Sequence, residues 1–141
     1  MKKICLLLAF CLLLAAFPAF AQETAEDPAL SEQIQAAMEA EDYETAIPLI
    51  REVADAGDAQ AQLLLGNCFA QGLGVEQDDR EAVKYYRLSA DQGNVYGLYD
   101  LAAMYEYGYG VAQSRSKALQ YYQLAADQGF QDAIDKVNEL K

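Results

Sequence analysis

Apolar residues occupy this chain in two ways. From Ile4 to Ala16 they form a nearly unbroken run; from Leu30 onward they return at intervals of three and four, the period of a helix with one buried face. Leu30, Ile34, Ala37 and Met38 share one helical face, and Tyr43, Ala46, Ile47, Ile50, Val53 and Ala54 share another. Leu65, Cys68 and Phe69 mark a third helix, and Ala82, Tyr86, Ser89 and Ala90 a fourth. Leu101, Met104 and Tyr105, then Ala118, Tyr122, Ala125 and Ala126, repeat the last two patterns. Near the C-terminus Ala133, Ile134, Val137 and Leu140 are expected to face inward, with Asp132, Asp135, Lys136 and Glu139 outward. The chain is expected to be all-helical.

The repetition has a fixed length. Ala61–Tyr96 set over Gly97–Asp132 without a gap gives 13 identities in 36 positions, among them Gly72/Gly108, Gly74/Gly110, Tyr85-Tyr86/Tyr121-Tyr122 and the block Ala90-Asp91-Gln92-Gly93/Ala126-Asp127-Gln128-Gly129. The offset reaches back to Ala46, Ala54, Asp55 and Gly57. Asp42, Asp78 and Ser114 stand where an N-cap oxygen should accept the first free backbone N–H groups. Gly93 and Gly129 stand where a left-handed residue ends a helix. Each unit therefore reads as helix, Gly-rich loop, helix. One such hairpin cannot bury its own apolar stripes, whereas a stack of them can. Pro48 falls inside the second helix and is expected to kink it.

These residues resemble the Sel-one-like repeat, a longer-looped relative of the tetratricopeptide repeat, with the pattern A-x-x-x-L-G-x-x-Y-x-x-G-x-G-V followed by D-x-x-K-A-x-x-[WY]-Y-x-x-A-A-x-x-G. Ala61, Leu65, Gly66, Phe69, Gly72, Gly74, Val75, Asp78, Ala82, Tyr85, Tyr86, Ala90 and Gly93 match in one unit. Leu101, Tyr105, Gly108, Gly110, Val111, Lys117, Ala118, Tyr121, Tyr122, Ala125, Ala126 and Gly129 match in the next. Glu81, Ser114 and Ala102 depart from the pattern without threatening the fold. The resemblance implies an α/α right-handed superhelix, a solenoid of period 36. The chain then divides into a signal peptide at 1–21, a disordered acidic linker at 22–28, a degenerate first hairpin at 29–60, full repeats at 61–96 and 97–132, and a capping helix at 133–141.

The first of these segments is an address. Lys2 and Lys3 precede the apolar run, and Pro18 and Ala19-Phe20-Ala21 follow it, the form of a secretory signal cleaved after Ala21. The run is shorter than the roughly 20 apolar residues that a membrane span needs. Cys11 follows Phe10, a bulky residue where a lipoprotein signal requires a small one. The expected destination is the periplasm, with release from the cell the alternative. Cleavage would leave 22 acids against 8 basic residues and a single thiol, Cys68, in an apolar stretch that favours burial.

Composition narrows the chemistry. The absence of His excludes Ser-His, Cys-His and His-metal sites. A net charge of −12 is the wrong sign for a nucleic-acid binder. Gly72-x-Gly74 and Gly108-x-Gly110 lack the third Gly, the Lys and the strand of a phosphate loop. Glu76, Asp78 and Asp79 suggest a Ca²⁺ site, but the copy carries Ala112, Ser114 and Arg115. No nucleophile, base and orienting group can be assembled, so neither catalysis nor a cofactor or metal is expected.

Tyrosine points elsewhere. Repeat packing asks for Tyr86, Tyr105 and Tyr122 in full and for Tyr43, Tyr85 and Tyr121 in part; Tyr96, Tyr99, Tyr107 and Tyr109 are surplus. By resemblance to tetratricopeptide positions, the concave face would present Gln60, Leu63, Asn67 and Gln71 from one unit and Tyr96, Tyr99, Ala103, Glu106 and Tyr107 from the next. Such a surface suits protein recognition, since a Tyr offers rigid contact area with a hydrogen-bonding tip. For Tyr99 two readings stand: a groove residue, or a plug against the neighbouring helix.

Charge is uneven as well. Residues 22–60 hold 11 acids and only Arg51, so a basic partner near the first hairpin is one reading and plain solubility the other. The expected function is a non-enzymatic adaptor, scaffold or regulator of the bacterial envelope that binds a protein or peptide. An immunity-type inhibitor of a secreted toxin or lipase is the alternative. A secreted β-lactamase-like hydrolase is disfavoured because the Cys pairs of such relatives are missing.

Overall fold

The computed structural model describes residues 28–141, and the expected signal peptide and nearly all of the acidic linker lie outside the described residues. Among the described residues seven helices follow one another: α1 (Pro28–Glu39), α2 (Tyr43–Asp55), α3 (Ala59–Gln71), α4 (Asp79–Asp91), α5 (Val95–Tyr107), α6 (Arg115–Ala126) and α7 (Gln131–Leu140). No strand occurs among the described residues. Pro48 lies within α2 without ending it.

Short polar side chains start most of these helices. Asp42 accepts the backbone N–H of Thr45, Asp78 those of Arg80 and Glu81, and Ser114 that of Lys117. Asp58 and Asn94 do the same for α3 and α5. The last helix, α7, begins without a side-chain cap, after Phe130.

Each helix packs on the next in sequence, and α3 also touches α5 directly. The odd-numbered helices form one layer and α2, α4 and α6 the other. Two apolar clusters run through the stack. One gathers Ile34, Ala46, Ile50, Leu65, Cys68 and Tyr85; the other gathers Leu63, Tyr86, Leu101, Tyr105, Tyr122 and Val137. Phe69 packs against both, so the core is continuous. Cys68 has no exposed surface, and burial pushes its thiol pKa up, as expected of an inert core cysteine.

Contacts within and between units recur at the sequence period. Phe69 stacks on Tyr85 and Tyr105 on Tyr121, with centroids 5.8 and 5.7 Å apart. Arg51 donates to the Tyr85 hydroxyl, while Arg87, one period on, donates to that of Tyr105 rather than Tyr121. Along the turns, the Gln92 amide donates to the Gly57 carbonyl and the Gln128 amide to the Gly93 carbonyl, each at 2.8 Å. The loops wedge against the preceding unit: Gly74 lies on Tyr43 at the start of α2, and Gly110 on the Asp79 carbonyl at the start of α4. Tyr85 is buried, beyond the partial packing expected from its position.

Candidate functional site

The residues expected on the concave face come from α3 and α5, and the fold separates them into exposed, braced and buried groups. Gln60 and Gln71 are exposed on α3. The Gln60 carbonyl oxygen accepts from the Asn94 amide at 3.4 Å. Asn67 is half-buried and accepts the Tyr86 hydroxyl at 2.8 Å. Leu63 is different: at 5% exposure its side chain belongs to the core with Leu98 and Leu101, because its place on α3 faces the α4 and α5 packing. It offers no surface to a ligand.

On α5, Tyr96 and Tyr107 are each 53% exposed, and Ala103 is half-buried between them. The Tyr96 ring meets Phe130 edge-on, with centroids 5.3 Å apart. Tyr99 packs against its neighbours, as the plug reading expects. Its ring packs edge-on against Tyr122 and Phe130, each at 5.2 Å, yet it keeps a partly open side. Burial raises its pKa. Phe130 thus organises the Tyr pair, and nothing in the repeat pattern marks it, since the equivalent residue one period earlier is Asn94.

Glu106 anchors a polar cluster. Its carboxylate accepts the Tyr122 hydroxyl at 2.6 Å and the Lys136 ammonium at 3.0 Å. Burial raises the Glu106 pKa, but the bonds from Tyr122, Lys136 and Tyr107 outweigh it and leave the carboxyl below its ordinary value. Lys136, expected to point outward from α7, turns inward to this carboxylate and to the Tyr107 hydroxyl at 3.4 Å. The bond to Glu106 foremost raises its pKa. The separation of 30 residues hides such a pair from any local spacing rule.

Asp100 is a residue that periodicity did not single out. It occupies the position of Leu64 one period earlier, and burial pushes its pKa up to about 6. The unfolded carboxyl titrates near the ordinary 3.8, so the folded state resists ionisation. Stability contributed by the neutral acid is full in acid and falls as pH rises through about 6. Asp100→Asn removes that fall. The variant is expected to gain on the order of 1–2 kcal/mol over the parent between about pH 4 and 7.5, read from urea titrations at both. A constant difference across that range would mean that Asp100 is solvated.

Among the described residues no group of three or more His, Cys, Asp or Glu could hold a metal, and no helix is long and apolar enough to cross a membrane.

Comparison with known proteins adds to this geometry. The family model described as Sel1 repeat matches residues 59–94 and 95–130, two residues ahead of the boundaries expected from the sequence. A Sel1 repeat protein from Oxalobacter formigenes is 29% identical, with a TM-score of 0.73 over 76% of this chain and 44% of its own. The protective antigen c5321 of uropathogenic Escherichia coli strains, which displays an SLR fold, is 25% identical, with a TM-score of 0.75 over 84% of this chain and 26% of its own. The chain thus spans less than half the length of either. Helicobacter pylori cysteine rich protein B shares the fold at 19% identity and a TM-score of 0.64, over 79% of this chain and 97% of its own. No curated protein matches the sequence significantly.

Proposed function

The chain belongs to the Sel1 repeat family, whose members are generally protein-interaction modules, and on that premise we propose that it is a non-catalytic binding module of the bacterial envelope. It holds a protein or peptide along α3 and α5, in the role of an adaptor, scaffold or regulator. The observation that carries this reading is Tyr96: half its surface is open while its ring is braced by Phe130. A ring held in place before binding loses little rotamer freedom on contact, which favours it as an anchor. Gln60, Asn67 and Gln71 along α3 supply neutral hydrogen-bonding groups. The N-terminal Lys2-Lys3, apolar run and Ala19-Phe20-Ala21 support export to the periplasm.

Capture by crosslinking from an envelope fraction tests the reading. Tyr96→Ala is expected to reduce the recovered partner at least about tenfold while melting stays within about 0.5 kcal/mol of the parent. Tyr99→Ala should lower both, because its ring also packs on Tyr122 and Phe130. Unchanged capture by the Tyr96 variant would move the binding surface elsewhere.

A further inference from the structure

The space between successive odd-numbered helices is closed by the same position along most of the stack. Between α3 and α5 it is Tyr86, whose ring lies so close to Gly66 that a Cβ there would stand 2.7 Å from it. Between α5 and α7 it is Tyr122, bound to Glu106. One period before Tyr86 the residue is Ile50, on α2, which has no ring to offer. Between α1 and α3 the structure has a groove of about 540 Å³ instead.

Its walls are apolar. Leu30, Ile34 and Met38 line it from α1, and Leu64 faces them from α3. Val53 makes the floor, and Ile50, which has no exposed surface, packs beneath it. The positions equivalent to Val53 and Leu64 one period later are Ser89 and Asp100, so this gap is more apolar than its neighbour. Its rim is acidic: Glu39, Glu52 and Asp58 border it, in a stretch where 11 acids face one Arg.

We propose that this groove seats a short amphipathic helix from a partner protein, its apolar face inward and its Lys or Arg side chains toward Glu39, Glu52 and Asp58. The α1 wall repeats every four residues, so it runs along about 12 Å of helix and matches a ligand with anchors at i, i+3 or i+4 and i+7. The volume suits two or three apolar side chains rather than a whole domain face. Acidic groups around an apolar floor reject acidic amphipaths and draw basic ones, which fixes the sign of the partner. The inference rests on the reading of the chain as a binding module but uses neither Tyr96 nor Tyr99.

The test uses the protein isolated from cells that make the full chain. The probe is a peptide of leucine and lysine patterned as an amphipathic helix, about 15 residues long, near the length at which isolated helices form. Saturable binding is expected, with NMR shifts concentrated on the methyl groups of Ile34, Met38, Val53 and Leu64. Ile50→Phe, which puts a ring into the groove, should weaken binding at least about tenfold, and so should the exposed pair Glu39→Lys with Glu52→Lys. The charge pair carries the test if the core variant fails to fold. Tyr96→Ala should bind the peptide unchanged, so failure here and failure of the α3–α5 surface are separate results. Binding undiminished by both groove variants, shifts remote from these methyls, equal binding of a leucine–glutamate peptide, or a groove closed to the probe by the chain's own first 27 residues would each overturn the proposal.

Discussion

Tyr122→Ala is expected to cost about 3–5 kcal/mol of folding stability, the range for emptying a buried aromatic site. Tyr122 heads the side chains with no exposed surface. Its ring meets Tyr99 and its hydroxyl donates to Glu106, so truncation opens a cavity between α5, α6 and α7 and strips a half-buried carboxylate of one donor. Tyr122→Phe separates the two effects. It keeps the ring and should cost only about 1–2 kcal/mol, through the lost bond to a charged acceptor. That bond helps to hold the Glu106 pKa below its ordinary value. The stability it adds is therefore present above the unfolded pKa and is lost as pH falls through the lower folded one. The Tyr122→Phe deficit should shrink in acid accordingly. Urea unfolding followed by circular dichroism reads both variants; a cost below about 1 kcal/mol for alanine would place the ring outside the core.

The second large effect falls on a residue without a side chain. Gly110 has φ +66°, and a Cβ there would run into the Asp79 carbonyl of the preceding unit. Gly93 has φ +81° but meets nothing within 4 Å. Gly93→Ala should cost about 1 kcal/mol, the left-handed penalty alone. Gly110→Ala carries the same penalty and must also push the loop off the start of α4, for roughly 3 kcal/mol in all. The difference between the two variants, measured by thermal and urea unfolding, isolates the contact between repeats. Equal costs would show that the loop yields freely.

The helical stack was readable because its causes are local or periodic. Apolar spacing placed the buried faces, and Asp42, Asp78 and Ser114 announced their caps by type and position. The recurrence of 36 joined the two full units before any contact was known. What escaped depends on distance in space. Leu63 sits at an expected surface position, yet α4 and α5 close over it. Lys136 has the spacing of an outward residue, but Glu106 lies within reach of its long side chain, and the ion pair decides its direction. Phe130 breaks the repeat pattern by replacing a capping Asn, and only the structure reveals that it braces Tyr96 and Tyr99. The groove beside Ile50 was written in the alignment all along, as an isoleucine opposite two tyrosines. Its meaning required knowing which gap those tyrosines fill.

The glutamine links along the turns carry one more consequence. Gln92 and Gln128 each grip a main-chain carbonyl of the previous turn, Gly57 and Gly93. A carbonyl is present whatever the side chain, so the decoration of the outer edge can drift freely while one amide per unit keeps the rise and curvature of the coil. Shape and surface are thereby inherited separately: the edge is free to acquire new specificities without bending the scaffold that displays them.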